Sequence, residues 1–248
     1  MFDAKKETER IVDFIRNYYK ENNLKGAVLG ISGGKDSAVV AALLVKAIGV
    51  ENVVGITMSC ESKEEDKTDA KIVADKYGFE LINIDLTETY HAFKKQIHDL
   101  NVDEKMLVDS DINIKPRLRM SANYYVAAMY THIKGAPYIV AGTSNKCELY
   151  VGYFTKGGDS TYDIGVLNNL TVDEVIAVGE YLEVPDAVLH KTPSDGLSGK
   201  SDEDKLGVKY KDIAKYMNGE ELEEETKEKI ARLHRNAHHK FNIPVYNK

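Results

Sequence analysis

Eight consecutive residues, Gly30-Ile31-Ser32-Gly33-Gly34-Lys35-Asp36-Ser37, place two hydroxyls, a glycine pair, a cation and an acid between an apolar run and a compact helix. A phosphate held there meets the free amides of a helix N-terminus and the positive end of its dipole. Gly33 and Gly34 have no Cβ, so the chain can turn sharply and approach the ligand closely. Ser32 and Ser37 add donors, and Lys35 adds charge. The loop is not a Walker A turn, because Asp36 follows Lys35 where that motif needs Ser or Thr; nor is it GxGxxG. A carboxylate beside a triphosphate is repelled unless a divalent cation lies between them, so Asp36 implies Mg²⁺.

The elements that must position this loop follow from periodicity. Ile11, Phe14, Ile15 and Tyr18 recur at helical spacing in a lead-in helix over Glu9 to Lys20. Apolar runs at Ala27 to Ile31, Val53 to Met58, Phe79 to Ile84 and Tyr138 to Gly142 read as four strands. Helices over Ala38 to Ile48 and Glu64 to Tyr77, the latter closed by Gly78, separate the first three. Apolar strands alternating with helices argue for an α/β fold, a Rossmann-like parallel sheet with helices on both faces. From Arg117 to Ile133 apolar side chains populate nearly every side of a helix. Such a helix is central to the core or turns one face to a second subunit, and the second reading is favoured. Asn145 to Asn169 shows no periodicity and reads as a long functional loop. Thr171-Val172-Asp173-Glu174 starts a helix to Leu182 with a capping box, and Glu220 to Phe241 is a charged C-terminal helical extension. The simplest organisation is a single domain over residues 1–248.

Composition narrows the function. Hydrophobic residues at 43% and charged ones at 29% suit a soluble globular protein. No run is long enough to span a membrane, and the charged N-terminus shows no signal segment, so the expected address is the cytoplasm. A net charge of −7 disfavours nucleic acid and anionic membrane as partners. Cys60 and Cys147 form no CxxC pair and read as two reduced thiols.

Ser32-Gly33-Gly34-Lys35-Asp36-Ser37 resembles the SGGxDS loop of the ATP pyrophosphatase (PP-loop) superfamily. Further blocks are similar to the NAD synthetase family within it. They are Asn113 to Met120, Gly142-Thr143 through Glu148, Gly152 to Asp159, Pro193 to Leu197 with Ser201-Asp202-Glu203, and His239-Lys240. The resemblance implies ATP-dependent amidation of deamido-NAD by ammonia to NAD, AMP and pyrophosphate through an acyl adenylate, the last step of NAD biosynthesis. It implies ATP contacts at Gly30 to Ser37, Thr143 and Ser194, and Mg²⁺ at Asp36 and Glu148. It further implies deamido-NAD contacts at Arg117, Lys156, Asp163, His239 and Lys240, a place for Asp159 near the ammonia site, and a homodimer with the dinucleotide at its interface. With no room for a glutaminase domain before Ile31, free ammonia is the expected nitrogen donor.

The chain departs from the family pattern at Val172, where many members carry a phosphate-contacting Lys. It departs again at Ser144-Asn145-Lys146-Cys147, to which no role attaches. Two rival readings remain open: a tRNA-thiolating PP-loop enzyme using Cys60 or Cys147, and a nucleotide-binding sensor on the same scaffold.

Overall fold

The computed structural model describes residues 2–61, 64–98, 103, 105, 107–191 and 201–246. In chain order the elements are α1 (Ala4–Glu21), β1 (Gly26–Gly30), α2 (Lys35–Ile48), β2 (Val53–Ser59), α3 (Glu64–Tyr77), β3 (Glu80–Asp85), α4 (Thr87–His98) and α5 (Val108–Lys134). There follow β4 (Tyr138–Gly142), α6 (Lys146–Val151), β5 (Ile164–Gly165), α7 (Val172–Tyr181), α8 (Asp186–Leu189), α9 (Asp202–Leu206), α10 (Tyr210–Met217) and α11 (Glu224–Phe241). The strands form one parallel sheet in the order β3-β2-β1-β4-β5. From β1 the chain crosses to β2 on one side and later to β4 on the other. The crevice at the carboxyl ends of β1 and β4 is therefore the topological switch point, where open α/β sheets bind ligands.

Helices cover both faces, as the alternation predicts. One core holds Leu29 and Ala27 of β1, the buried length of α2, Ile15 of α1 and Val175 and Val178 of α7. The opposite face packs Val28, Ile56 and Val140 against Val126, Ala127 and Tyr130 of α5. A third cluster joins Cys147 and Val151 of α6, Ile213 of α10 and Ile230 of α11, and fixes the C-terminal helices beside the switch point. Both cysteines are buried and unbridged.

Three expectations change. The loop over Asn145 to Asn169 contains α6 and the short strand β5, too brief to leave a periodic signal. β3 is shifted one residue and its side chains are half-exposed, because it lies at the sheet edge and is not covered on both sides. α5 begins earlier, at Val108; of the two readings of its apolar surface, placement wholly inside the core is the one that does not hold, since Tyr125 is 75% exposed, Ile133 64% and Met129 37%.

Candidate active site

The loop after β1 is braced from within. Ser37 Oγ accepts from the Ser32 amide at 3.2 Å and donates to the Gly34 carbonyl at 3.0 Å, while Ser32 Oγ accepts from the Gly34 amide at 3.2 Å. Gly33 has φ +78, and a Cβ there would stand 2.8 Å from the Asp66 carbonyl oxygen of α3. Glycine is thus required by backbone and by space. Lys35, expected to lend charge to a phosphate, is buried, and its Nζ donates to Asp36 Oδ2 at 2.8 Å. Burial works against its charge. The adjacent Asp36 charge and hydrogen bond, with Glu148 and Asp202 further off, outweigh burial and raise the Lys35 pKa.

The second half of the site follows β4. Thr143 leaves the strand directly, and Asn145 caps α6 in a reciprocal box with Glu148. Asn145 Oδ1 accepts the amides of Cys147 and Glu148 at 3.0 and 3.1 Å, and Glu148 Oε2 accepts the Asn145 amide at 3.1 Å. Asn145 Nδ2 donates to Asp36 Oδ1 at 3.2 Å. Asp36 and Glu148 therefore lie at the same edge of the sheet, tied through one side chain. Desolvation first, and the Asp36 charge second, push the Glu148 carboxyl well above the usual range, against the pull of Lys35. A like-charged pair that resists full ionisation is what a divalent cation relieves. Among the described residues no group of three or more His, Cys, Asp or Glu side chains is arranged to hold a metal. Two carboxylates suit Mg²⁺ all the same, since that ion commonly takes its remaining ligands from water and substrate phosphates.

Asp202, the first residue of α9, stands in one of the family-like blocks but carries no expected role. It is buried, accepts from the Tyr153 hydroxyl at 3.0 Å, and feels the charges of Lys35 and Asp36. Burial raises its pKa. Asn145 carries none either, because a capping residue gives no sequence sign of a partner on a distant helix. Val172 is packed into the third core, so no charge reaches a phosphate from that position. Ser194 lies outside the described residues.

The expected dinucleotide residues gather on a neighbouring surface. Arg117 Nε on α5 donates to the Lys156 carbonyl at 3.3 Å, and Lys156 Nζ donates to the His239 carbonyl on α11 at 2.9 Å. Lys240 Nζ donates to the carbonyls of Gly152 and Phe154. Asp159 Oδ1 accepts the Thr155 amide at 2.7 Å. Its residue surface stays open, yet desolvation by the surrounding chain raises its pKa, against the Thr155 amide and the charges of Lys240 and Arg119. Asp163 is engaged structurally on both oxygens, accepting from the Tyr124 hydroxyl at 3.1 Å and the Val140 amide at 2.8 Å.

A parallel sheet with a braced glycine turn and two linked acids at its switch point defines an α/β nucleotide-using enzyme of the PP-loop class. The profile of the NAD synthase family matches residues 7–244, and the chain belongs to that family. It is 40% identical over 241 residues to the NH₃-dependent NAD⁺ synthetase of Carboxydothermus hydrogenoformans, covering 96% of this chain and 95% of that one. The protein of the same name from Archaeoglobus fulgidus is 36% identical over 246 residues, with 96% and 95% covered. Among solved structures, NMN synthetase from Francisella tularensis superposes with a TM-score of 0.89 at 32% identity, covering all of this chain and 99% of that one. NH₃-dependent NAD synthetase from Campylobacter jejuni, in complex with nitrate, gives 0.81 at 28% identity with both chains fully covered.

Proposed function

We propose that this chain is a carbon–nitrogen ligase that amidates deamido-NAD with ammonia at the expense of ATP, closing NAD biosynthesis in the cytoplasm. Its relatives at 36 to 40% identity over nearly their full length are NH₃-dependent NAD⁺ synthetases. The observation that carries the reading is the Asp36–Asn145–Glu148 link at the switch point, directly beside the glycine turn. ATP lies along Gly30 to Ser37 with Thr143; the contact expected from Ser194 rests on the sequence resemblance alone. Deamido-NAD lies along Arg117, Lys156, Asp163, His239 and Lys240.

A carboxylate at neutral pH is a poor electrophile. The nicotinate carboxylate therefore attacks the ATP α-phosphorus, the bond to the bridging oxygen breaks, and pyrophosphate leaves. Loop amides and the α2 N-terminus hold the phosphates in line and offset the charge that develops on the leaving group. Asp36 and Glu148 would hold Mg²⁺, which supplies charge neutralisation on the phosphate oxygens when bound. Ammonia then attacks the acyl adenylate and AMP leaves with the electron pair of the broken C–O bond. Ammonium predominates at neutral pH; Asp159 captures the cation and accepts its proton, a role that its raised pKa supports.

Homodimer formation is the third part of the proposal. It is supported by the exposed Tyr125, Met129 and Ile133 on α5, the helix that also carries Arg117. The test is incubation with ATP, Mg²⁺, ammonium and deamido-NAD, following AMP and NAD. NAD and AMP in equal amounts are expected, and ATP turnover without NAD would refute the reading. The full-length likeness to NMN synthetase favours one second reading, a mononucleotide substrate. The deamido forms of NAD and NMN, offered in competition, separate the two by kcat/KM.

A further inference from the structure

We infer that Asn145 is a positioning residue that aims the Asp36 carboxylate; the inference rests on the proposed magnesium site. As an N-cap the residue has an ordinary backbone, φ −95 and ψ 170, and its Oδ1 satisfies two amides of α6. Those two contacts fix the amide's orientation, so Nδ2 must face the other way. There it meets Asp36 Oδ1 at 3.2 Å, on a different helix and across the β1–β4 crevice. The side chain is wholly buried, so water cannot substitute as the partner of that N–H₂.

Ser or Asp caps a helix about as well as Asn. Asp has no donor, and the Ser hydroxyl, which can both accept and donate, is one bond too short to reach a second helix from the cap, whereas the Asn amide accepts at Oδ1 and donates at Nδ2. Lys35 holds the other oxygen, Oδ2, at 2.8 Å. Asp36 is thus fixed at both oxygens while each retains further capacity to accept. Asn145 also grips Glu148 through its backbone amide, at 3.1 Å from Oε2. One residue therefore sets the spacing of both acids and, through it, the affinity for the metal–nucleotide complex.

The test uses Asn145→Ser, which keeps a cap and loses the reach to Asp36, with Asn145→Thr alongside as a second capping variant. Binding of α,β-methylene-ATP, which cannot release pyrophosphate, is measured by calorimetry with and without Mg²⁺. In the parent, Mg²⁺ tightens binding; in the Ser variant that gain shrinks by about tenfold, the usual scale for losing a group that orients a metal ligand. Metal-free affinity stays at the parental value and the melting temperature falls by no more than one buried hydrogen bond accounts for, with unfolding still cooperative, which a merely damaged fold would not allow. In an Asp36→Asn background Asn145→Ser should cost nothing further. A parent without any magnesium-dependent gain overturns the metal reading and this inference together. An undiminished gain in the folded variants, or an additive loss in the double variant, overturns the role of Asn145 alone.

Discussion

Lys240 Nζ donates to the Gly152 carbonyl at 2.7 Å and, at 2.6 Å, to that of Phe154, with its ammonium 4.9 Å from the centre of the Phe154 ring. The final turn of α11 is thereby pinned to the turn that ends α6. Desolvation lowers the Lys240 pKa, and the Asp159 charge opposes it. Close packing completes the joint, since a Cβ on Gly152 would fall 2.2 Å from Ala237 Cβ. A lysine expected to hold substrate is also a clamp on the backbone that carries Asp159.

Lys240→Met keeps the apolar stem and removes the donors. Two charge-assisted hydrogen bonds disappear, so a loss of roughly 1.5–3 kcal/mol in unfolding free energy is expected. Denaturant titration measures it. A variant with parental stability and a raised KM for the dinucleotide would show instead that Lys240 serves the substrate alone.

Gly33→Ala forces a side chain into a left-handed backbone at φ +78 and against the Asp66 carbonyl. The backbone penalty alone is about 1–2 kcal/mol. The loop must shift to relieve it, and nucleotide binding depends on where its amides point. Calorimetry should show ATP affinity down by at least tenfold with the far-ultraviolet spectrum unchanged. Parental affinity would mean that the loop amides do not contact phosphate.

What the sequence made legible and what it hid divide along a physical line. β1, α2 and β2 were readable because each is a continuous apolar segment bounded by glycine or polar punctuation, and burial on both sides enforces that pattern. α6 and β5 were not: six and two residues are too few for a helical or alternating pattern to repeat. Site residues split the same way. Asp36 and the glycines announce themselves because the local turn demands their types. Asn145 and Asp202 act across the fold, on Asp36 and Tyr153, and no spacing along the chain encodes a partner on another helix. The mixed case is Lys35: its place in the loop was plain, but its direction, inward to Asp36, depends on burial.

Glu148 makes metal-free stability depend on pH. Its folded pKa is raised above the ordinary 4.5. Between those two values the folded state holds a proton that the unfolded state has lost, so stability falls as pH rises through that window. Glu148→Gln removes this contribution, and its melting curve should decline less with pH than the parent's. Mg²⁺ competes with the proton, so the stabilisation it gives should grow with pH in the parent and be lost in the Gln variant. Differential scanning calorimetry reads both slopes, and equal slopes in parent and variant would contradict the shift.

Tyr125, Met129 and Ile133 form an exposed apolar stripe along α5, flanking the face that buries Val126, Ala127 and Tyr130. If that stripe meets its copy in a homodimer, Tyr125→Glu with Ile133→Glu places like charges in a desolvated contact. Sedimentation should shift from dimer to monomer. Both side chains point away from the chain's own core, so the melting temperature of the monomer should reflect only the lost association. An unchanged sedimentation coefficient would assign the stripe to some other role.

Asp159→Asn keeps the Thr155 contact geometry while removing the charge that would hold ammonium and take its proton. Adenylation does not involve this group, so pyrophosphate release in a single turnover should proceed at the parental rate. Amide formation should fall by about 10²–10⁴-fold, the range for losing a general base. The apparent KM for ammonium should rise, and raising the pH, which supplies free ammonia directly, should restore part of the rate. Those three readouts distinguish a lost base from a misplaced loop, because a displaced loop would impair both half-reactions and gain nothing from alkali. Parental turnover at limiting ammonium would remove Asp159 from the mechanism.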